Sequence, residues 1–97
     1  EAAWYDRVAD RATTLYPRLQ RPRGERFSHP TSGRGYACDE VDDLLDRLAA
    51  YFDEAGELTA DEIRTATFRP KRGKKAYAEG PVDAYLGRAV EILLAVD

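Results

Sequence analysis

Residues 68–77 read FRPKRGKKAY and place five basic side chains in the seven positions from Arg69 to Lys75. The chain as a whole carries a formal net charge of −3, so this stretch opposes the charge of the rest of the molecule. It has an echo at residues 27–36, which read FSHPTSGRGY. Both stretches begin with phenylalanine, end with tyrosine and contain proline, glycine and basic residues. We therefore compared the two surrounding segments position by position.

The similarity extends beyond the two loops. At an offset of 41 residues, eight of the 25 positions from 23 to 47 are identical without a gap, whereas about two are expected at ordinary residue frequencies. The identical pairs are Arg23/Arg64, Phe27/Phe68, Tyr36/Tyr77, Ala37/Ala78, Val41/Val82, Asp42/Asp83, Leu45/Leu86 and Arg47/Arg88. We predict an internal duplication, with repeat one at residues 23–56 and repeat two at residues 58–97.

Length and composition indicate a single domain over residues 1–97. Hydrophobic residues make up 43% of the chain and charged residues 34%, which is typical of a globular protein and not of a disordered one. The longest apolar run, at residues 89–96, is broken by Glu91 and falls far short of the roughly 18 residues that a membrane span needs. One cysteine excludes an internal disulfide and fits a reducing compartment. We expect a cytoplasmic protein, either free or peripheral to the inner face of the cell membrane.

Hydrophobic spacing predicts three longer helices. The first covers residues 1–17 and ends at Pro17, the second covers residues 39–55, and the third covers residues 81–96. Their predicted packing and oligomerisation face consists of Val41, Leu44, Leu45, Leu48, Val82, Tyr85, Leu86 and Val90. An amphipathic hairpin of about 40 residues rarely buries enough surface to fold alone. A homodimer is a second way to cover these faces.

A short fourth helix is expected from Ala60, because Thr59 and Glu62 form a capping-box pattern. The segments 20–37 and 67–79 are predicted as ordered loops, since neither contains a strand pattern of useful length; a short hairpin inside either one stays open. We therefore predict an all-α fold in which two helix–loop–helix repeats pack as an internal pseudo-dimer, with an extra N-terminal helix.

The two loops are the predicted functional segments. Residues 18–34 hold five basic and one acidic side chain, and residues 64–75 hold six basic and none, while the remainder holds four basic and 17 acidic. The predicted contacts to an anion or membrane are Arg34, Arg69, Lys71, Arg72, Lys74 and Lys75. The aromatic residues that should anchor these loops are Phe27, Tyr36, Phe68 and Tyr77. Segregation of this kind favours an anionic partner, although solvated loops balanced by acidic helices explain it equally well.

Catalytic and metal chemistry find little support in the sequence. The chain has one histidine, His29, and one cysteine, Cys38, so no His/Cys metal set can be assembled. Cys38 lies at the start of a predicted helix, where the dipole lowers a thiol pKa, but no second histidine or oxyanion site accompanies it. His29 is expected to be solvated. We predict a protein that is not an enzyme and carries no cofactor.

Residues 33–48, GRGYACDEVDDLLDRL, together with residues 58–94, resemble the N-terminal domain of the bacterial DivIVA family, which marks cell poles and division septa. The matching positions are Arg34, Gly35, Tyr36, Glu40, Val41 and Asp42 in one segment and Thr67, Phe68, Tyr77, Val82 and Asp83 in the other. Twelve arginines against three lysines are typical of a GC-rich genome, such as that of an actinobacterium. The resemblance implies parallel dimers, coiled-coil helices and loops that touch membrane.

Two departures from the family pattern change what the resemblance implies. The family carries aspartate after the tyrosine, whereas this chain has Ala37 and Ala78, a loss of about 1 kcal/mol of helix capping each. The family also carries an exposed hydrophobic residue at the loop tip, where this chain has Gly33 and Lys74. Attraction to anionic headgroups remains, at about 1 kcal/mol for each basic residue near the surface.

The sequence thus favours a non-enzymatic interaction or scaffold domain associated with cell division or the cell envelope, with basic loops contacting anionic lipid or an acidic protein. A nucleic-acid-binding module is the alternative, because basic loops also follow phosphates. The acidic helices disfavour it, since they repel DNA and include no recognition helix. An enzyme subunit, or a fragment whose function lies elsewhere in a longer chain, stays open.

Overall fold

A computed structural model describes residues 14–96 of the chain. The helices are α1 (Tyr16–Leu19), α2 (Cys38–Phe52), α3 (Ala60–Arg64) and α4 (Glu79–Val96). The strands are β1 (Arg34–Ala37), β2 (Pro70–Arg72) and β3 (Ala76–Tyr77), and a single 3-10 turn, Gly73–Lys75, joins β2 to β3. Each of the three strands therefore comes from one of the two loops that the sequence analysis singled out.

The strands form one antiparallel sheet in the order β2-β1-β3, with β1 in the centre. Arg34 lies opposite Arg72 and Gly35 opposite Lys71 in the β1–β2 pair. On the other edge Tyr36 lies opposite Tyr77, and Ala37 opposite Ala76. The first loop thus supplies the central strand and the second loop supplies both of its neighbours.

The all-α prediction is wrong, because the fold is mixed, 54% helical with this three-stranded sheet. The strands contain two to four residues, too few for the alternation of apolar and polar residues that identifies a strand in sequence. Their pairing also joins residues 34–37 to residues 70–77, a separation that local patterns do not report. Ordered loop backbone needs hydrogen-bond partners, and the two loops supply them to each other.

The prediction of two helix–loop–helix repeats packed as a pseudo-dimer is wrong for the same reason, as is the coiled-coil, helical DivIVA-type domain that the resemblance implied. The most extensive helix contact joins the five-residue α3 to α4, and a coiled coil requires long helices in register over several heptads. The predicted N-terminal helix over residues 1–17 lies mostly outside the described residues. Within them, Pro17 stands in the first turn of α1.

Helix boundaries follow local chemistry closely. The predicted start of α3 at Ala60 is confirmed, since the Thr59 hydroxyl accepts from the Glu62 N–H and the Glu62 carboxylate accepts from the Thr59 N–H. Helix α2 ends at Phe52, before Gly56, and the chain leaves it through Glu54 in the left-handed region at φ 58°. Helix α4 begins two residues before Pro81.

The core is formed mainly by side chains of the helices, and Tyr77 of β3 packs into it. Its most buried large side chains are Leu15, Val41, Leu45, Leu48, Tyr77, Val82 and Leu93. The other predicted packing residues Leu44, Tyr85 and Leu86 are also buried, while Val90 is partly buried at the margin. The Tyr85 O–H donates to the Leu15 carbonyl at 2.9 Å, which ties α4 to the segment before α1.

Backbone and aromatic contacts across the sheet are reciprocal between positions 41 residues apart. The Ala37 N–H donates to the Arg69 carbonyl at 2.9 Å, and the Ala78 N–H donates to the Ser28 carbonyl at 2.8 Å. The aromatic rings repeat the exchange, because each loop's phenylalanine packs against the other loop's tyrosine. The centroid distances are 5.3 Å for Phe27–Tyr77 and 5.2 Å for Phe68–Tyr36.

The tyrosine hydroxyls make a reciprocal pair of hydrogen bonds. The Tyr77 O–H donates to Asp42 on α2, and the Tyr36 O–H donates to Asp83 on α4, both at 2.8 Å. The surroundings differ, since Tyr77 and Asp42 are buried whereas Asp83 is exposed. Positions 41 apart therefore occupy equivalent places around the sheet, one set inside the molecule and the other at its surface.

Candidate anion-contact site

One cleft beside the sheet is lined by four of the six predicted anion-contact residues. We call Arg34, Arg69, Lys71, Arg72, Lys74 and Lys75 the basic patch; all six are exposed. Arg34 belongs to β1, Lys71 and Arg72 belong to β2, and Arg69 directly precedes β2. The 3-10 turn contains Lys74 and Lys75. Gly73 opens that turn at φ +61°, a conformation that glycine adopts without steric cost.

Strand pairing places like charges side by side. Arg34 and Arg72 are directly opposite each other in the β1–β2 ladder, and like charges in this position destabilise a sheet. The arrangement depends on Gly35, because a Cβ atom there would lie 2.2 Å from the Tyr77 carbonyl oxygen. Only glycine lets β1 lie between its two neighbours at this distance, so the basic pair is built into the sheet.

Arg69 differs from the other five members of the basic patch. Its Nε donates to the Glu40 carboxylate at 2.7 Å and its backbone N–H donates to the same carboxylate at 2.9 Å. The backbone hydrogen bond from Arg69, followed by its side-chain hydrogen bond, holds the pKa of Glu40 below its usual value. Arg69 is thus matched by a carboxylate, while within residues 14–96 the other five basic residues form no ion pair.

The unmatched basic residues surround an open cleft. Its volume is about 550 Å³ and its lining consists of Arg34, Pro70, Lys71, Arg72 and Lys75. A smaller depression of about 320 Å³ beside it is lined by Asp39, Lys71 and Lys75. Four converging cations suit phosphate or carboxylate groups, while Asp39 repels an anion that extends toward α2.

The predicted loop anchors pack as two aromatic pairs of unequal burial. Phe27 and Tyr77 are buried, whereas Tyr36 and Phe68 are partly buried. Burial raises the pKa of Tyr77 to about 12, together with its hydrogen bond to Asp42. The hydrogen bond to Asp83 raises the pKa of Tyr36 to about 12. Both phenols stay protonated and hold the base of the basic patch in place.

A buried ion pair near the sheet was not predicted from the sequence. Arg26 and Asp42 are both buried, with 3.7 Å between their charged groups. The Arg26 guanidinium donates to the Asp42 carbonyl at 3.1 Å and to the Asp46 carboxylate at 2.8 Å. The identity of Asp42 with Asp83 at the offset of 41 was the available signal, but nothing in the sequence distinguished Arg26 from the other arginines of its loop.

The two potentially reactive side chains, Cys38 and His29, are both packed against other parts of the fold. Cys38 is buried, and burial raises the pKa of its thiol to about 11, so the expected lowering by the helix dipole is outweighed. His29 is half-buried, and its Nδ1 lies 2.7 Å from the Ala76 carbonyl, which contradicts the expectation of a solvated side chain. Its ring stacks on Tyr77 at 5.9 Å.

Neither metal nor membrane features accompany the site in the part of the chain that the structure describes. No group of three or more His, Cys, Asp or Glu side chains there is arranged to hold a metal ion. No helix among the same residues is long and apolar enough to cross a bilayer. No family model, curated protein or solved structure matches this chain.

Proposed function

We propose that this chain is a non-enzymatic interaction domain that binds an anionic surface through its basic patch, with lipid headgroups as the first candidate. The motif resemblance described above adds the cellular setting, a scaffold associated with division or the envelope. An acidic protein surface could bind the same basic side chains through its carboxylates. The proposal concerns the patch and requires no coiled coil.

One observation carries the proposal: four exposed basic side chains line one cleft and form no ion pair with a carboxylate among residues 14–96, although the chain as a whole is acidic. The fold keeps Arg34 opposite Arg72 at the cost of repulsion between them. An anion in the cleft removes that repulsion, because no carboxylate among residues 14–96 forms an ion pair with Arg34 or Arg72. Each basic residue near an anionic membrane contributes about 1 kcal/mol, so binding should be reversible and sensitive to salt.

Nucleic acid is the alternative occupant, and the surroundings of the patch disfavour it. Asp39 lines the depression beside the cleft, and the first turn of α2 carries Asp39 and Glu40. A duplex passing over the patch would bring its phosphates near these carboxylates. Lipid headgroups approach the exposed turn from one side and avoid them.

The test is co-sedimentation with anionic and with neutral phospholipid vesicles at about 50 and 300 mM salt, between which the screening of exposed charges changes strongly. We expect binding to anionic vesicles at low salt, little binding at high salt, and none to neutral vesicles. Titration with duplex DNA of mixed sequence under the same conditions tests the alternative, nucleic-acid binding.

The variant Lys74→Glu/Lys75→Glu should abolish vesicle binding. Its matched control is Arg21→Glu/Arg88→Glu, outside the patch; each substitution changes the charge by −2, so both variants move the chain from −3 to −7. Equal loss in both variants would reduce the effect to net charge and overturn a localised site. If the unmodified chain binds DNA but not anionic vesicles, nucleic acid and not lipid is the ligand of the basic patch.

A further inference from the structure

A second surface, separate from the basic patch, is an open groove between α3 and α4. Its volume is about 550 Å³, and its lining includes Tyr36, Thr67, Phe68, Asp83, Leu86 and Gly87. Most of the lining is apolar. The exposed carboxylate of Asp83 lies on its wall and accepts a hydrogen bond from Tyr36.

The molecule contains a filled counterpart of this groove. The reciprocal contacts relate Tyr36 and Asp83 to Tyr77 and Asp42, so the counterpart lies beside the buried tyrosine. There the Arg26 guanidinium occupies the space next to Asp42, donating to Asp46 at 2.8 Å and to the Leu19 carbonyl at 3.3 Å. The filled site is thus closed by the buried Arg26 side chain, while the exposed Arg23, the counterpart of Arg64, pairs with the same Asp46 carboxylate from the surface.

The residues that fill the first site are missing from the second. Counting 41 residues onward, Thr67 stands in the place of Arg26, and Gly87 in the place of Asp46. Phe68 still packs against Tyr36 as Phe27 packs against Tyr77. The aromatic and acidic parts of the site are therefore present, while its arginine and its second carboxylate are absent.

Gly87 keeps the groove open without being required by packing. A Cβ atom at this position would meet nothing within 4 Å, so a larger side chain fits there. Arg64 also lines the groove, but its guanidinium is paired with Asp61 at 2.7 Å. Among the residues that the structure describes, Asp83 forms no ion pair. The groove thus presents one unmatched negative charge among apolar side chains.

We propose that this groove binds an arginine side chain of a partner polypeptide, flanked by apolar residues, in the position that Arg26 takes in the filled site. The guanidinium meets the Asp83 carboxylate, and its aliphatic part and apolar neighbours cover Leu86, Val90 and Phe68. Arginine suits the site because its planar group donates several hydrogen bonds in fixed directions. The proposal is independent of the basic patch, which repels a cationic partner.

The test uses the peptide acetyl-Leu-Arg-Leu-amide and its citrulline counterpart, which has almost the same shape without the charge. Titration into the isotope-labelled chain should shift the amide resonances of Thr67, Phe68 and Gly87. We expect the citrulline peptide to bind about tenfold more weakly, as the loss of one charge-assisted contact predicts. Equal binding of the two peptides, or no shift at these residues, would overturn the proposal.

The variant Thr67→Arg/Gly87→Asp rebuilds the filled site inside the groove and leaves the net charge unchanged. It should abolish peptide binding, and its melting temperature should exceed the value expected from the two single variants together. Gly80→Ala, a glycine of the same helix outside the groove lining where a Cβ meets nothing within 4 Å, is the control and should still bind. Full peptide binding by the double variant contradicts the proposal, whatever the vesicle experiments show for the basic patch.

Discussion

Tyr36 and Tyr77 make the same hydrogen bond in different surroundings, and this difference can be measured. The Tyr77 hydroxyl is buried, donates to Asp42 and accepts from the Arg26 N–H at 3.2 Å. The Tyr36 hydroxyl donates to Asp83, which is exposed. When the phenol oxygen is removed, water can replace it at Asp83 but has no access to the buried groups.

We expect Tyr77→Phe to lower the free energy of unfolding by about 1–3 kcal/mol, because it leaves buried polar groups without a partner. Tyr36→Phe, the matched control, should cost less than about 1 kcal/mol. Urea denaturation followed by circular dichroism gives both values. Equal costs for the two variants would mean that the two hydrogen bonds do not differ in burial.

At the level of secondary structure elements, the sheet depends on the close approach of β1 and β3 at Gly35. Glycine is needed at position 35 because the strands are so close, and not because of an unusual backbone angle. A Cβ atom there would lie 2.2 Å from the Tyr77 carbonyl oxygen. A carbonyl that belongs to a paired strand cannot move without breaking the ladder. The central position of β1 is therefore fixed by one residue.

Gly35→Ala should destabilise the protein by about 1–3 kcal/mol, the usual cost of overpacking, and should weaken vesicle binding because it displaces the basic patch. Gly80→Ala is the control. A Cβ there meets nothing within 4 Å, and alanine in a helix gains up to about 1 kcal/mol over glycine. Thermal denaturation compares the two, and an unchanged melting temperature for Gly35→Ala would show that β3 yields easily.

The elements differ in how far sequence determines them. The capping pair of Thr59 and Glu62 lies within four residues, so the start of α3 could be predicted from the sequence. The strands could not, because their hydrogen bonds join segments far apart in the chain and none of the strands is longer than four residues. The patch residues were identified from charge alone, but the pairing of Arg69 with Glu40 depends on the sheet register.

Ion pairs on the helix surfaces show the same limit. Asp43 and Arg47 lie one turn apart on α2, a spacing that allows an ion pair within the helix. In the fold Asp43 pairs with Arg23, and Arg47 pairs with Glu62 at 2.8 Å. Both partners come from other segments of the chain, and i,i+4 spacing gives a weak preference that tertiary contacts override.

For the molecule as a whole, tyrosine ionisation makes the stability of the fold decrease at alkaline pH. The pKa values of Tyr36 and Tyr77 are raised to about 12, and burial also raises that of Tyr85. A tyrosine in an unfolded chain ionises near pH 10. Because the folded values are higher, the stabilisation from these groups is complete below about pH 10 and is lost as the pH rises toward 12.

We therefore expect the free energy of unfolding to decrease between pH 10 and 12. In the native chain, part of the tyrosinate absorbance should be delayed until the pH exceeds 11. The chain in guanidinium chloride is the control, in which all six tyrosines should ionise near pH 10. The Tyr77→Phe variant should show a smaller decrease in stability over the same interval. A native chain that titrates like the denatured one would contradict the raised values.

The central place of β1 has a consequence for the order of events during synthesis. This strand leaves the ribosome well before residues 70–77, which supply both of its neighbours. Until then the Asp42 carboxylate has no Tyr77 hydroxyl, and the edges of β1 are open to other nascent chains. The first half of the polypeptide must therefore wait for the second, and folding of this domain is completed only after nearly all of it has been translated.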